Sequence, residues 1–322
     1  MPRARVFDFD VLPADEEPPA CASRVSVACC ETDFDKGGLG WRVWGAALVL
    51  ARELCCAPRN LLAAERLSVL ELGAGCGLCG LLASQLGAHE VVLTDALPAL
   101  IDTLAAGAAL QSSEEATAEQ DEALPPWTWR GARRGSRIRV RSLLWDDDVA
   151  ACGDATAARS ATEAAFARSM LAAQLRRAGG STGACPLTSQ HACLHVLTNA
   201  SAGDAPALDA EERFPLVIGS DLLYDWSAVR PLTATIVRRL APGGLCLLAL
   251  PVRDKPLLDA LAEGLSRAGL AWDARPSAPP TEPPRSDDTG GDEPLACVDL
   301  RVWHPDAPPA ARWQGWPKDA EA

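Results

Sequence analysis

Apolar residues recur along this chain with two different periods, and their alternation lays out the fold. Short segments at 67–72, 91–95, 137–144, 215–220, 244–250, 268–275 and 295–303 read as strands. Between them, helical spacing predicts helices over 77–87, 97–110, 226–240 and 254–267. Ahead of the first run, Trp44, Leu48, Ala51 and Cys55 fall at i, i+4, i+7 and i+11, an amphipathic helix over 41–56 stopped by Pro58. Two short alternating segments, Arg5 to Phe9 and Arg24 to Cys29, predict a strand pair. Strands that alternate with helices give an α/β fold: a Rossmann-like seven-stranded, mostly parallel sheet with helices on both faces and an antiparallel C-terminal strand.

Three stretches break that rhythm. Residues 111–135 run from acidic to arginine-rich, 147–212 are rich in Ala, Ser, Thr and Gly, and 276–294 are rich in Pro, Asp and Ser. Such compositions bury too little apolar area to offset the entropy of ordering, so they read as solvated, flexible insertions. One helix, over about 157–177, is expected inside the second. The organisation is therefore an N-terminal extension (1–39), a single domain (40–304) carrying the insertions, and a tail (305–322).

Composition narrows the class. A net charge of −13 and a pI near 4.8 argue against nucleic acid and anionic membranes as partners and suit a basic protein substrate. No apolar run reaches the roughly 20 residues that span a bilayer, and the first residues lack the apolar core of a secretory signal. The expectation is a monomeric protein of the cytoplasm, with the nucleus as the other compartment. Its 12 cysteines would then be reduced thiols, several of them inside apolar runs. Cys76 and Cys79 form a C-x-x-C, and His191, Cys193 and His195 are closely spaced, but neither group has the partner set of a metal site, and no metal is expected.

The chemistry concentrates in Val69-Leu70-Glu71-Leu72-Gly73-Ala74-Gly75-Cys76-Gly77. An apolar strand ends in an acid, alternating glycines follow, and a helix begins. Glycines at this spacing let the backbone turn sharply and approach a ligand where a Cβ would clash. Asp95, twenty residues beyond Gly75 at the end of the next strand, can accept hydrogen bonds from both hydroxyls of a ribose. Gly75, Gly77 and Gly80 also satisfy G-x-G-x-x-G, the fingerprint of a dinucleotide site. Glu71 argues against that ligand, because a carboxylate at the strand tip repels a pyrophosphate and favours the ammonium and sulfonium of S-adenosylmethionine.

A second constellation follows the fourth predicted strand, where the chain reads Gly219-Ser220-Asp221-Leu222-Leu223-Tyr224. Tyr224 is the sole tyrosine, and Asp221 and Tyr224 fall just past a strand's carboxyl end, the edge at which open α/β sheets bind ligands. A helix cap at Asp221 and a packed ring with a wet hydroxyl at Tyr224 would account for them equally well on their own.

Taken together, Trp44, Glu71-Leu72-Gly73-Ala74-Gly75, Thr94-Asp95, Leu144-Trp145 and Asp221-Leu222-Leu223-Tyr224 resemble the family-16 protein methyltransferases, and Arg253 and the closing strand Cys297 to Trp303 fit the same pattern. These are seven-strand, S-adenosylmethionine-dependent enzymes, mostly protein-lysine methyltransferases. The resemblance covers about 24–145 and 213–304, and its D-x-x-Y element is the specific part. It implies that Trp44, Gly73, Ala74, Gly75, Asp95, Trp145 and Ser220 line the cofactor site, joined by Glu71 on the charge argument. Trp145 can lie against the adenine or serve as core, and the spacing of Trp44 with Leu48 fits packing as well as cofactor contact. The helix after Asp95 lacks the asparagines associated with the family, and the 147–212 insertion is unusually long.

The implied reaction is methyl transfer to a lysine ε-amine of a non-histone protein. Asp221 and Tyr224 would accept hydrogen bonds from the incoming amine, and Trp226 or Trp44 would help to desolvate it. Arginine, histidine or a small molecule are the other acceptors that the sequence allows. A binding module without turnover, using the tail Arg312 to Pro317 as a docking element, is the alternative from a different class.

Overall fold

A computed structural model of the chain describes residues 2–11, 23–57, 62, 66–111, 124–132, 135–151, 205–277 and 296–307. Two strands, β1 (Arg3–Val11) and β2 (Ser23–Glu31), pair antiparallel in a sheet of their own, as the alternating segments predicted. Its inner face carries Phe7, Phe9, Val27 and Cys29, which are buried in the same core as the main domain.

A short turn α1 (Phe34–Gly37) leads to α2 (Gly45–Cys55), and then the βα alternation begins. The strands are β3 (Ser68–Leu72), β4 (Glu90–Asp95), β5 (Thr128–Arg130), β6 (Arg137–Ser142), β7 (Phe214–Ser220), β8 (Leu240–Pro251), β9 (Ala271–Ser277) and β10 (Cys297–Trp303). Helices α3 (Leu78–Gln85), α4 (Pro98–Gln111), α5 (Trp145–Ala151), α6 (Trp226–Arg239) and α7 (Lys255–Arg267) connect them.

The main sheet runs β5-β6-β4-β3-β7-β8-β10-β9. The pairings from β6 through β8 are parallel, and β10 is antiparallel to both β8 and β9. It thus has the expected mostly parallel architecture with an antiparallel C-terminal strand, plus an eighth strand, the three-residue β5. That strand lies in the stretch read as an insertion because its Thr-Trp-Arg is too short to carry a period; pairing with β6 along Ile138 holds it.

Alternation along the central strands sorts side chains into two layers. Val69, Val91, Leu93, Ile138 and Ile218 face the layer built with α2, α3 and the hairpin. Leu70, Leu72, Val92, Val217 and Leu248 face α6 and α7. From β3 the chain builds outward through β4 to β6, then crosses to the other side of β3 for β7 and β8. That reversal opens a crevice at the carboxyl ends of β3 and β7, where open α/β sheets place their ligands.

The 147–212 insertion is shorter than the composition suggested. Its first residues complete α5, and 205–212 return to the domain, with Ala207 bridging to Ser142 and Leu208 buried. Arg239 fastens both ends: its guanidinium forms a buried pair with Asp148 and donates to the Asp209 carbonyl at 2.5 Å. Such an anchor is strong because removing either partner would strand a buried charge. The helix expected over 157–177, the His191–His195 cluster and the tryptophan-bearing tail all lie outside the described residues.

Candidate functional site

A cleft opens at the switch point between β3 and β7. Its walls include Trp44, Glu71, Gly73, Ala74, Gly75, Ser220, Asp221 and Tyr224, so eight of the ten residues singled out from sequence come together on one surface. Asp95 and Trp145 lie beside it. Asp95 binds the Gly75 N–H, and the Trp145 ring sits 3.4 Å from where a Gly73 Cβ would be.

The glycine loop is held to its shape from several directions. Gly73 and Gly75 adopt φ +53° and +54°, where other residues are strained. A Cβ on Gly75 would lie 3.1 Å from the Gly40 carbonyl oxygen, because the turn before α2 folds directly over the loop. Asp95 accepts from the N–H groups of Gly75 (3.1 Å), Ala96 (2.7 Å) and Leu97 (3.1 Å). Burial raises its carboxyl above the ordinary aspartate value, and the three N–H bonds oppose that shift.

Glu71 sits at the base of the cleft and is 2% exposed. Its Oε2 accepts the Gly80 N–H at 2.8 Å, tying the strand tip to the first turn of α3. A Cβ on Gly80 would stand 2.6 Å from that oxygen and 2.3 Å from Leu93 Cδ2, so these side chains would have to shift. Burial pushes the Glu71 carboxyl up to about 8, against the pull of the Gly80 and Cys79 N–H groups. The C-x-x-C thiols are local fasteners: Cys76 Sγ lies 3.5 Å from the Gly40 carbonyl and Cys79 Sγ 3.3 Å from that of Ala47.

Trp44 differs from its expected place. The predicted helix starts at Gly45 instead of residue 41, and Trp44 is its extended N-cap residue, outside the buried stripe of α2. Its Nε1 donates to the Leu39 carbonyl at 2.6 Å, and the half-buried indole faces the cleft.

Across the cleft, Asp221 is 3% exposed and holds φ +55°, a conformation few non-glycine residues adopt. Its carboxylate makes a two-pronged ion pair with Arg253 from the segment after β8, with Nη2 to Oδ2 at 3.0 Å and Nη1 bonded to Oδ1. The Arg253 guanidinium also stands 5.6 Å from the centre of the Tyr224 ring. Bonding to Asp221 raises the Arg253 pKa. Desolvation and the Asp221 charge raise that of the Tyr224 phenol, although 40% of the residue is open to solvent. The helix cap anticipated at Asp221 is made instead by Asp225, whose carboxylate accepts the Ser227 N–H at 2.7 Å. Trp226 is 59% exposed.

Arg42, Gly40 and the Asp221–Arg253 pairing were not read from the sequence. The first had a signal, a cation between two tryptophans in Trp41-Arg42-Val43-Trp44. The last had none, since its partners are 32 residues apart.

The family model described as lysine methyltransferase matches residues 29–125, which span the glycine loop and Asp95 and end before Trp145 and the Asp221–Tyr224 element. Among solved structures, a T. thermophilus 16S rRNA methyltransferase is 17% identical over 94% of this chain and 50% of its own, with a TM-score of 0.41. A TehB-like methyltransferase of Corynebacterium glutamicum is 13% identical over 82% and 89% (TM-score 0.38). A ribosomal protein L11 methylase of Lactobacillus delbrueckii is 12% identical over 80% and 77% (TM-score 0.38). The sequence resemblance and the family match agree, and with the sheet order and the cleft they indicate a methyltransferase fold whose cofactor is S-adenosylmethionine.

Proposed function

Taking S-adenosylmethionine as the cofactor of this fold, we propose that the protein methylates a lysine ε-amine of a non-histone protein. The observation that carries this reading is the meeting of the glycine loop and the Asp221–Tyr224 element in one cleft. The loop side fits the cofactor because glycines at positive φ keep the main chain bare along the wall of the cleft. Gly73, Ala74 and Gly75 would hold the ligand through the backbone, Asp95 its ribose, Trp145 its adenine, and Trp44, Glu71 and Ser220 the remaining wall. When bound, the cofactor supplies an electrophilic methyl group on a sulfonium.

What the protein must supply is mainly position, because displacement at a methyl carbon needs two reactants held in line. A lysine amine, with an ordinary pKa near 10.4, attacks only after losing its proton. Asp221 and Tyr224 serve as acceptors for the amine N–H groups, and the half-buried Trp44 limits water around the nitrogen. Arg253 neutralises much of the Asp221 charge. The pair therefore favours binding a neutral amine over trapping an ammonium ion. Within this reading the chain's net charge of −13 suits a basic protein partner in the cytoplasm, and the enzyme acts as a monomer. Among the described residues, no helix is long and apolar enough to cross a membrane.

The test is to incubate the purified protein and a cell extract with S-adenosylmethionine carrying an isotopic methyl group, then map the label by mass spectrometry. Label on a lysine of a protein supports the proposal. Label confined to RNA, a small molecule or other side chains, or no transfer at all, refutes it.

A further inference from the structure

We propose that two apolar lips of the cleft, Phe34 with Leu39 and Tyr224 with Trp226, hold a substrate segment in which apolar residues flank the target lysine and basic residues lie beyond them. This names the substrate of the reading above and rests on it. Seven large apolar side chains are exposed among the described residues, and four of them are Phe34, Leu39, Tyr224 and Trp226. The other three, Val6, Leu110 and Trp272, are scattered over β1, α4 and the edge strand β9. Solitary exposed apolar side chains are ordinary, whereas several around one opening mark a contact site.

The first lip is the segment between β2 and α2, on the glycine-loop side. Its neck is closed by the Thr32 N–H on the Trp41 carbonyl (2.9 Å) and the Val43 N–H on the Glu31 carboxylate (3.2 Å). Gly40 lies over Gly75, the Leu39 carbonyl holds the Trp44 indole in the wall, and Phe34 stands edge-on to Trp41. The backbone beneath Phe34 and Leu39 is thus fixed while their side chains stay open to water. The second lip follows β7: Tyr224 is in the wall, Asp225 caps α6, and Trp226 begins that helix, ahead of Leu232, its first buried residue. Side chains placed before binding lose little entropy on contact, and tryptophan is among the residues that dominate interfaces. Asp33, Asp35 and Asp225 stand exposed on the same lips, and Lys36 beside the first two is paired with Asp33. A nucleobase also stacks on exposed tryptophan, but these aspartates repel a phosphate backbone and attract Lys and Arg. The occupant is therefore a cationic protein segment whose apolar side chains straddle the lysine, which reaches Asp221 and Tyr224 between the lips.

Synthetic peptides with one central lysine and arginines at both ends test this, with isotopic methyl transfer by the full chain as the readout. Leucine in place of alanine on either side of the lysine should raise kcat/KM about tenfold, mostly through KM, the scale of one buried anchor. Trp226→Ala should lose the leucine advantage on one side of the lysine and Leu39→Ala on the other. Leu39→Ala should keep the wild-type kcat and its affinity for S-adenosylmethionine. Equal rates for leucine and alanine peptides, or both variants losing the same side, would overturn the proposal. So would a Trp226→Ala protein whose kcat falls for all peptides alike, since that residue would then desolvate the amine and not dock the segment. If a lysine of an extract protein takes the label while no peptide does, the lips fail and the lysine reading stands. Label on no lysine anywhere, or on RNA instead, removes both.

Discussion

On the β3–β4 side of the cleft the ligand-facing surface is main chain, shaped by glycines at positive φ and by the N–H bonds that Asp95 accepts. On the β7–β8 side it is made of side chains, and its shape depends on an ion pair between residues far apart in sequence. The first surface is damaged by adding atoms, because no room exists for them. The second is damaged by changing charge, because Asp221 and Arg253 fix one another. Binding and turnover should therefore fail separately.

The sharpest way to break this contrast is Asp221→Asn. Asparagine tolerates positive φ and keeps the shape of the side chain, but loses the negative charge. Turnover should fall about a hundredfold, the scale of losing a positioned acid–base or charge-stabilising group. Cofactor affinity, measured by calorimetry, should change little; an equal loss of both would show that the two sides act as one unit. Gly75→Ala is the converse. Its Cβ would press on the Gly40 carbonyl at a strained φ, so cofactor affinity should drop at least about tenfold. The rate at saturating cofactor should be largely kept.

Glu71→Gln probes the floor between the two sides. With the folded carboxyl at about 8 and its ordinary value at 4.5, unfolded chains ionise Glu71 before folded chains do. Wild-type stability should decline as pH rises through that window and level off above it, with a slope of at most about 1.4 kcal/mol per pH unit. The glutamine variant can still accept the Gly80 N–H and should show a flatter dependence, read from urea midpoints at both ends of the window. The smallest effect is expected from Tyr224→Phe, about threefold in turnover if the phenol is the lesser of two acceptors. A loss as large as that of Asp221→Asn would reverse their order of importance.

Much of this architecture was legible because burial writes itself into short-range pattern. Val69 to Leu72, Val91 to Thr94 and Leu216 to Gly219 are apolar for as long as each strand is covered on both faces, and the glycines mark where the backbone must turn. Trp44 was harder to place. Helical spacing with Leu48 described a stripe, but the helix begins at Gly45, just past Trp44, and frees the ring for the cleft. Thr128 to Arg130 has no intrinsic strand signal and pairs because β6 offers an open edge.

The sequence alone determined the βα alternation, the glycine loop with its distal acid, and the Asp221–Tyr224 pair, since each is a relation among residues close in the chain. Only the tertiary structure decided that Glu71 would close the helix end, that Arg253 would hold Asp221, and that Arg42 would rest on two tryptophans inside the cleft. Electrostatic partnership depends on distance in space and on exclusion of water, and one-dimensional order records neither.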